Sequence, residues 1–158
     1  MHTTAAARRQ VGRFIPSASA RHCPHFCELL GLKCRDVQSV LDVISSGLHW
    51  SSVTSFLRDT GFTQAELAEY LGLRPRALAT RKVRGKLDEH ESERMLRLAE
   101  IYEAAFHLFD SNKVDAREWM LSAVRGLNNK RPIDYIRTDF GAREVRSLIG
   151  RLERGVFS

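Results

Sequence analysis

Between Thr63 and Lys86 the chain reads TQAELAEYLGLRPRALATRKVRGK, and few backbones satisfy that order of residues. Thr63 followed by Glu66 has the spacing of a capping box. The hydroxyl accepts the backbone N–H of Glu66, and the carboxylate reaches back to that of Thr63. Leu67 and Leu71 then share one helix face, and Ala68 beside them is small enough to let another helix approach. Gly72 falls where that helix has to end in a left-handed residue, a conformation glycine adopts without steric cost. Pro75 suits the first turn of a second helix, where no backbone N–H is needed. In that helix Leu78 faces back onto the first, while Arg76, Thr80, Arg81 and Arg84 face elsewhere. Two short helices joined by a tight turn, the second one basic, form the pattern of a helix-turn-helix whose second helix lies in the major groove of DNA.

The charge distribution points the same way. The chain of 158 residues carries a net charge of +6. Residues 63–86 hold six basic and two acidic side chains, and residues 1–22 hold four arginines and no acid. The segments between and after them are slightly acidic. Positive charge thus concentrates in the helix-turn-helix and in an N-terminal arm, as phosphate contact requires. A solvated basic face without a partner is the competing explanation of such a run. Arg76, Thr80 and Arg81 are the candidates for reading bases, since arginine pairs bidentately with guanine. Gln64, Arg74, Lys82 and Arg84 are candidates for contacts to the DNA backbone. Arg74 stands where a Ser or Thr commonly caps the second helix. Its presence leaves the first N–H groups of that helix without a local acceptor and open to a phosphate.

Helical spacing continues on both sides, and no strand alternation appears, so the expected fold is all-α. Hydrophobic residues make up 43% of the chain, enough for a real core. Residues 1–22 are small, polar and basic and are expected to form a disordered arm. Phe26, Leu29, Leu30 and Leu32 make a short apolar patch. Asp36 caps a helix with Val37, Val40, Leu41 and Ile44 on one face and Gly47 at its end. Ser51 or Ser52 is the expected cap of the next helix, which carries Val53, Phe56 and Leu57 and stops at Gly61. Asp88 with Glu91 is a second capping box. The helix it starts runs to about Phe109, on the order of 30 Å. Met95, Leu98, Ala99, Tyr102, Ala105, Phe106 and Phe109 form one stripe on it, and Leu96, Ile101, Ala104 and Leu108 widen that stripe. Such width implies burial on more than one side.

Asp115 with Glu118 repeats the capping spacing ahead of Trp119, Met120, Ala123 and Val124. A loop over Gly126 to Arg131 and a short helix opened by Pro132 follow. Thr138 or Asp139 caps a last helix bearing Val145, Leu148, Ile149 and Leu152, with Gly155 beyond it. The expected organisation is an arm over residues 1–22, a helical region over residues 23–86 containing the helix-turn-helix (63–82), and a second helical unit over residues 87–158.

Other chemistry finds little support. The six histidines, His2, His22, His25, His49, His90 and His107, are scattered. No Ser/His/Asp spacing, Gly-rich phosphate loop or HExxH motif occurs, so no catalytic residue, enzyme activity or cofactor is assigned. Cys23, Cys27 and Cys34 lie near His22 and His25, but no second paired cluster completes a four-ligand zinc site. An odd number of cysteines suits reduced thiols, and no metal site is assigned. No apolar run reaches the ~18 residues of a membrane span. The arginine-bearing start lacks the apolar segment of a secretory signal, and the expected compartment is the cytoplasm.

One ordered set of residues is far more specific than a helix-turn-helix alone. After Thr63 to Lys82 come Gly85-Lys86-Leu87, Glu91-Ser92-Glu93-Arg94, Trp119 and Leu127. The run Pro132-Ile133-Asp134-Tyr135-Ile136-Arg137-Thr138-Asp139-Phe140-Gly141-Ala142 follows, then Val145, Leu148 and Gly155. Over residues 46–158 the chain resembles the Xre-type antitoxins of the MbcA/ParS/Xre group, which pair a helix-turn-helix with a C-terminal toxin-binding domain. The resemblance implies a type II toxin–antitoxin system whose partner is a RES-domain toxin, a protein that consumes or uses NAD⁺. It implies an antitoxin that covers the toxin's active site and represses its own operon, as a homodimer or as a larger complex with toxin. The last helix and tail, Arg151, Arg154, Gly155, Val156, Phe157 and Ser158, are the candidate toxin contacts. A Phe beyond a glycine cap can enter a cleft, and arginines there can meet acidic surfaces. Two other classes stay open on the residues alone: a stand-alone dimeric helix-turn-helix repressor, and a protein-interaction module with an idle helix-turn-helix.

Overall fold

The computed structural model describes residues 25–155. The basic arm, Cys23 and the tail Val156, Phe157 and Ser158 lie outside the described residues. Within them the chain is all-α, with helices α1 (Phe26–Leu29), α2 (Val37–Ser46), α3 (Trp50–Thr60), α4 (Gln64–Leu71) and α5 (Pro75–Arg84). The long α6 (Glu89–Leu108) is followed by α7 (Lys113–Leu121), a 3-10 turn at Arg125–Leu127, α8 (Pro132–Tyr135) and α9 (Asp139–Glu153).

α6 is the axle of the molecule. It packs against α1, α2, α4, α7 and α9. Met95, Leu98, Ala99, Ile101, Tyr102 and Ala105 are fully or almost fully buried along it, so both the stripe and part of its widening face protein. The core is continuous from Leu30, Leu48 and Phe56 on one side to Met120, Val145 and Ile149 on the other. At its centre the Phe56, Phe62 and Tyr102 rings meet, stacked or edge-on, with centroids 5.7–6.0 Å apart. Burial of one such side chain contributes about 1.5–3 kcal/mol.

The helix ends follow local chemistry in most places. Asp36 caps α2 through the Ser39 N–H at 2.8 Å. Asp88 and Glu91 form the expected reciprocal box at the start of α6. Thr138 caps α9 by accepting from the Gly141 N–H.

Two starts differ from expectation. α3 begins at Trp50, and neither Ser51 nor Ser52 caps it. The entering chain is instead paired with the segment before α6. The Trp50 N–H donates to the Gly85 carbonyl at 2.8 Å, and the Leu87 N–H donates to that of Leu48 at 2.9 Å. A distant backbone carbonyl thus takes the place of a side-chain cap, and Ser52 is buried. α7 begins earlier than the Asp115–Glu118 spacing suggested. Asn112 caps it, its Oδ1 accepting from the N–H groups of Val114 and Asp115. Asp115 serves as the acceptor for the Asn112 amide at 2.7 Å. α7 also stops at Leu121, short of Ala123 and Val124, because Val124 pairs with Lys130 across the turn that follows.

Candidate DNA-binding and toxin-binding surfaces

α4 and α5 make the helix-turn-helix. Thr63 Oγ1 accepts from the Glu66 N–H at 3.2 Å, and Glu66 Oε2 accepts from the Thr63 N–H at 2.9 Å. Gly72 adopts φ +71° and turns the chain. The Leu73 N–H then closes on the Ala68 carbonyl at 2.9 Å. Leu67, Ala68, Tyr70 and Leu71 of α4 and Leu78 of α5 are buried. Leu78 is thus the one buried apolar anchor of the recognition helix, and most of its other residues are exposed.

The expected DNA-binding residues divide into two groups. Gln64, Arg74, Arg76, Thr80, Lys82 and Arg84 are exposed. No side chain caps the first turn of α5 at Arg74, so its leading N–H groups have no side-chain acceptor beside the exposed Arg74 and Arg76. Thr80 turns its hydroxyl back to donate to the Arg76 carbonyl at 3.0 Å. Arg81 is engaged within the protein. Its Nε reaches both carboxylate oxygens of Glu91 at 3.0 and 2.8 Å, and its Nη2 lies 3.6 Å from Asp88. The Glu91 side chain is only 7% exposed, so this pair is shielded from water. Hydrogen bonding to Glu91 raises the Arg81 pKa further above its already high ordinary value. Arg81 thus ties the recognition helix to the capping box of α6.

Sequence reasoning did not single out Val83. It is 90% exposed and shares the outer face of α5 with Arg76 and Thr80 by the i, i+4, i+7 spacing. Its signal was available: it is an apolar residue out of phase with Leu78.

The C-terminal half presents a second exposed feature. Phe140, in the first turn of α9, is 69% exposed, and the Arg143 guanidinium lies 5.9 Å from its ring centroid. Phe140 stands apart from the buried stripe of Gly141, Ala142, Val145, Leu148 and Ile149. Among the expected toxin contacts, Arg151 is half-buried and donates to Ser147 Oγ at 3.2 Å. Arg154 and Gly155 are exposed. Val156, Phe157 and Ser158 lie outside the described residues.

Several long-range contacts join α4 to residues further along the chain. Glu66 of the capping box pairs with Arg117 of α7. Burial pushes the Glu66 carboxyl up, but hydrogen bonds from Arg117 and from the Thr63 backbone outweigh it and hold the pKa below its ordinary value. Arg131 donates to Glu69 at 2.7 Å and also pairs with Asp134, and these bonds raise its pKa. Arg137 donates to the Glu69 carbonyl at 3.1 Å. The Tyr70 hydroxyl donates to the Arg94 carbonyl at 2.9 Å and lies within reach of the Ile136 carbonyl at 3.3 Å. α4 is therefore clamped by residues from α6, α7 and the segments flanking α8.

Comparison with known proteins gives these surfaces a context. Residues 39–100 match the Antitoxin Xre-like helix-turn-helix domain, and residues 104–155 match the Antitoxin Xre/MbcA/ParS C-terminal toxin-binding domain. The two matches meet inside α6. The chain is 37% identical over 119 residues to a protein named Antitoxin Xre from Yersinia enterocolitica serotype O:8 / biotype 1B, covering 75% of this chain and 74% of that protein. It is 30% identical over 117 residues to a protein named Antitoxin Xre from Photorhabdus laumondii subsp. laumondii, covering 73% of this chain and 79% of that one. Among the described residues no helix is long and apolar enough to cross a membrane. With a helix-turn-helix at α4–α5, a match to the toxin-binding domain from the end of α6 onward and these relatives across most of its length, the chain belongs to the Xre family of antitoxins of toxin–antitoxin systems.

Proposed function

We propose that this chain neutralises a RES-domain, NAD⁺-consuming toxin by covering its active site, and represses its own operon through the helix-turn-helix. The observation that carries the reading is the pairing of two matched domains in one chain, each presenting exposed side chains suited to recognition. On the DNA side Arg76 and Thr80 face the major groove, with Val83 beside them suited to a thymine methyl group. Gln64, Arg74, Lys82 and Arg84 hold the phosphates. Arg81 has a positioning role that fixes the angle of α5 through Glu91. On the toxin side, residues 87–158 form the binding unit. The contacts are Arg151, Arg154 and Gly155 with the tail Val156, Phe157 and Ser158, and Phe140 with Arg143 adds an aromatic and arginine pair of the type enriched in interface hot spots.

The working form is a cytoplasmic homodimer that grows into a larger hetero-oligomer with toxin. Support for self-association comes from α2, where Val37 is 65% and Leu41 is 49% exposed on a helix with no fully buried residue. Co-expression tests the central part of the proposal. Cells carrying a RES-domain toxin encoded beside this chain should grow only when the chain is also made. Growth arrest that persists despite abundant chain would contradict antitoxin action against that class. Promoter retardation tests the second part, with retention of the operator expected to fall steeply as salt rises.

A further inference from the structure

His25, Glu103 and His107 bring three metal-binding groups together from distant parts of the sequence. Their ligand atoms all lie within 4.8 Å of one another. Glu103 and His107 sit four residues apart on α6, so both point to one face. His25 immediately precedes α1 and reaches across to them. Glu103 Oε1 is hydrogen-bonded to His25 Nδ1 and lies 3.8 Å from His107 Nε2. The two imidazole rings are 6.1 Å apart between centroids.

Two features separate this group from an ordinary surface ion pair. Both partners of the carboxylate are imidazoles, the side chains that serve as neutral metal ligands, and no lysine or arginine takes part. The second nitrogen of His25 is also placed for the role. Its Nε2 lies 3.4 Å from Glu28 Oε2, the carboxylate-to-histidine arrangement that orients metal-bound imidazoles. In a tetrahedral site with bonds of about 2.0–2.2 Å the ligand atoms stand roughly 3.3–3.6 Å apart, so small side-chain shifts complete the set. The His25 and His107 side chains are 63% and 56% exposed, which leaves the group open to an ion from solvent.

We propose that His25 Nδ1, Glu103 Oε1 and His107 Nε2 bind one Zn²⁺ ion, with water as the fourth ligand. Two imidazoles and a single carboxylate suit zinc, whereas calcium and magnesium require mostly oxygen ligands. The ion would pin the short α1 to the C-terminal part of α6, a cross-link between sequence positions 25 and 103–107. α1 has only four residues, so a cross-link of this kind would do much to fix its place.

The test uses the full chain, stripped of metal by a chelator and titrated with ZnCl₂ by calorimetry and with CoCl₂ by visible absorption. One equivalent should bind, and the cobalt spectrum should lack the intense thiolate charge-transfer band. Glu103→Gln, His107→Ala and His107→Gln should each weaken binding by at least about tenfold with helical circular dichroism unchanged, since His107 is an exposed side chain. Cys23→Ser with Cys34→Ser should leave binding intact. The proposal is overturned if the chain takes up no zinc or if His107→Ala and His107→Gln bind as tightly as the parent. A thiolate band, with binding lost in the serine variants, would overturn it equally by assigning the ion to the cysteines.

Discussion

Arg81 lies on the recognition helix, yet its guanidinium is held by Glu91 and Asp88. Removing one partner of a shielded, charged hydrogen bond costs about 1–3 kcal/mol. Arg81→Ala is therefore expected to lower the urea-unfolding free energy by that amount. Arg76→Ala with Lys82→Ala removes two exposed cations and should leave stability unchanged within about 0.5 kcal/mol. The same double variant should weaken operator binding through both residues and flatten its salt slope by about one, for the lost Lys82 phosphate contact. Equal operator affinity before and after that change would remove Arg76 and Lys82 from the interface. Glu66 gives a pH signature. Its folded pKa is depressed, so its contribution is present above the unfolded value near 4.5 and is lost as pH falls through the lower folded value. Glu66→Gln should be less stable at neutral pH, and its stability should fall less steeply than the parent's below about pH 4.5, as followed by urea midpoints across the acid range. At this scale residue type was legible from the chain, but residue allegiance was not. Nothing local to Arg81 shows that Glu91, ten residues on and in another helix, claims it.

The helices themselves were largely legible, because their ends are written in short-range chemistry. Asp36, Thr63, Asp88 and Thr138 cap as their spacing requires. Gly61, Gly72 and Gly85 end α3, α4 and α5 in the left-handed region. The start of α3 was missed because its first N–H is satisfied by Gly85, a residue far along the chain. Gly141 marks another tertiary constraint that spacing alone conceals. A Cβ there would collide with the Tyr135 carbonyl, a backbone atom that cannot swing away. Gly141→Ala, otherwise a favourable change within a helix, is expected to destabilise the protein by about 1–3 kcal/mol. A rise in melting temperature would show that the α8–α9 junction is looser than this packing.

Across the whole molecule, α6 joins the DNA-binding and toxin-binding halves, as the width of its apolar stripe implied. The direct clamp was not visible in the sequence. Arg117, Arg131 and Arg137 grip Glu66 and Glu69 of α4, so the helix-turn-helix is braced by the half proposed to bind toxin as well as by the long helix. Toxin seated on that half could alter DNA binding through these contacts. Phe140 was hidden as a surface feature, since exposure of an apolar residue depends on which faces the tertiary packing leaves uncovered, whereas Val83 could be read from its phase against Leu78. Residues 87–158 are proposed to silence a NAD⁺-consuming partner while α5 holds DNA through a separate surface. Titrating the chain into a purified RES-domain toxin of the proposed class, with NAD⁺ loss as the readout, tests this most directly. Inhibition should reach completion at a fixed stoichiometry and should be unchanged by Arg76→Ala with Lys82→Ala. NAD⁺ loss that continues undiminished at saturating chain would contradict the account.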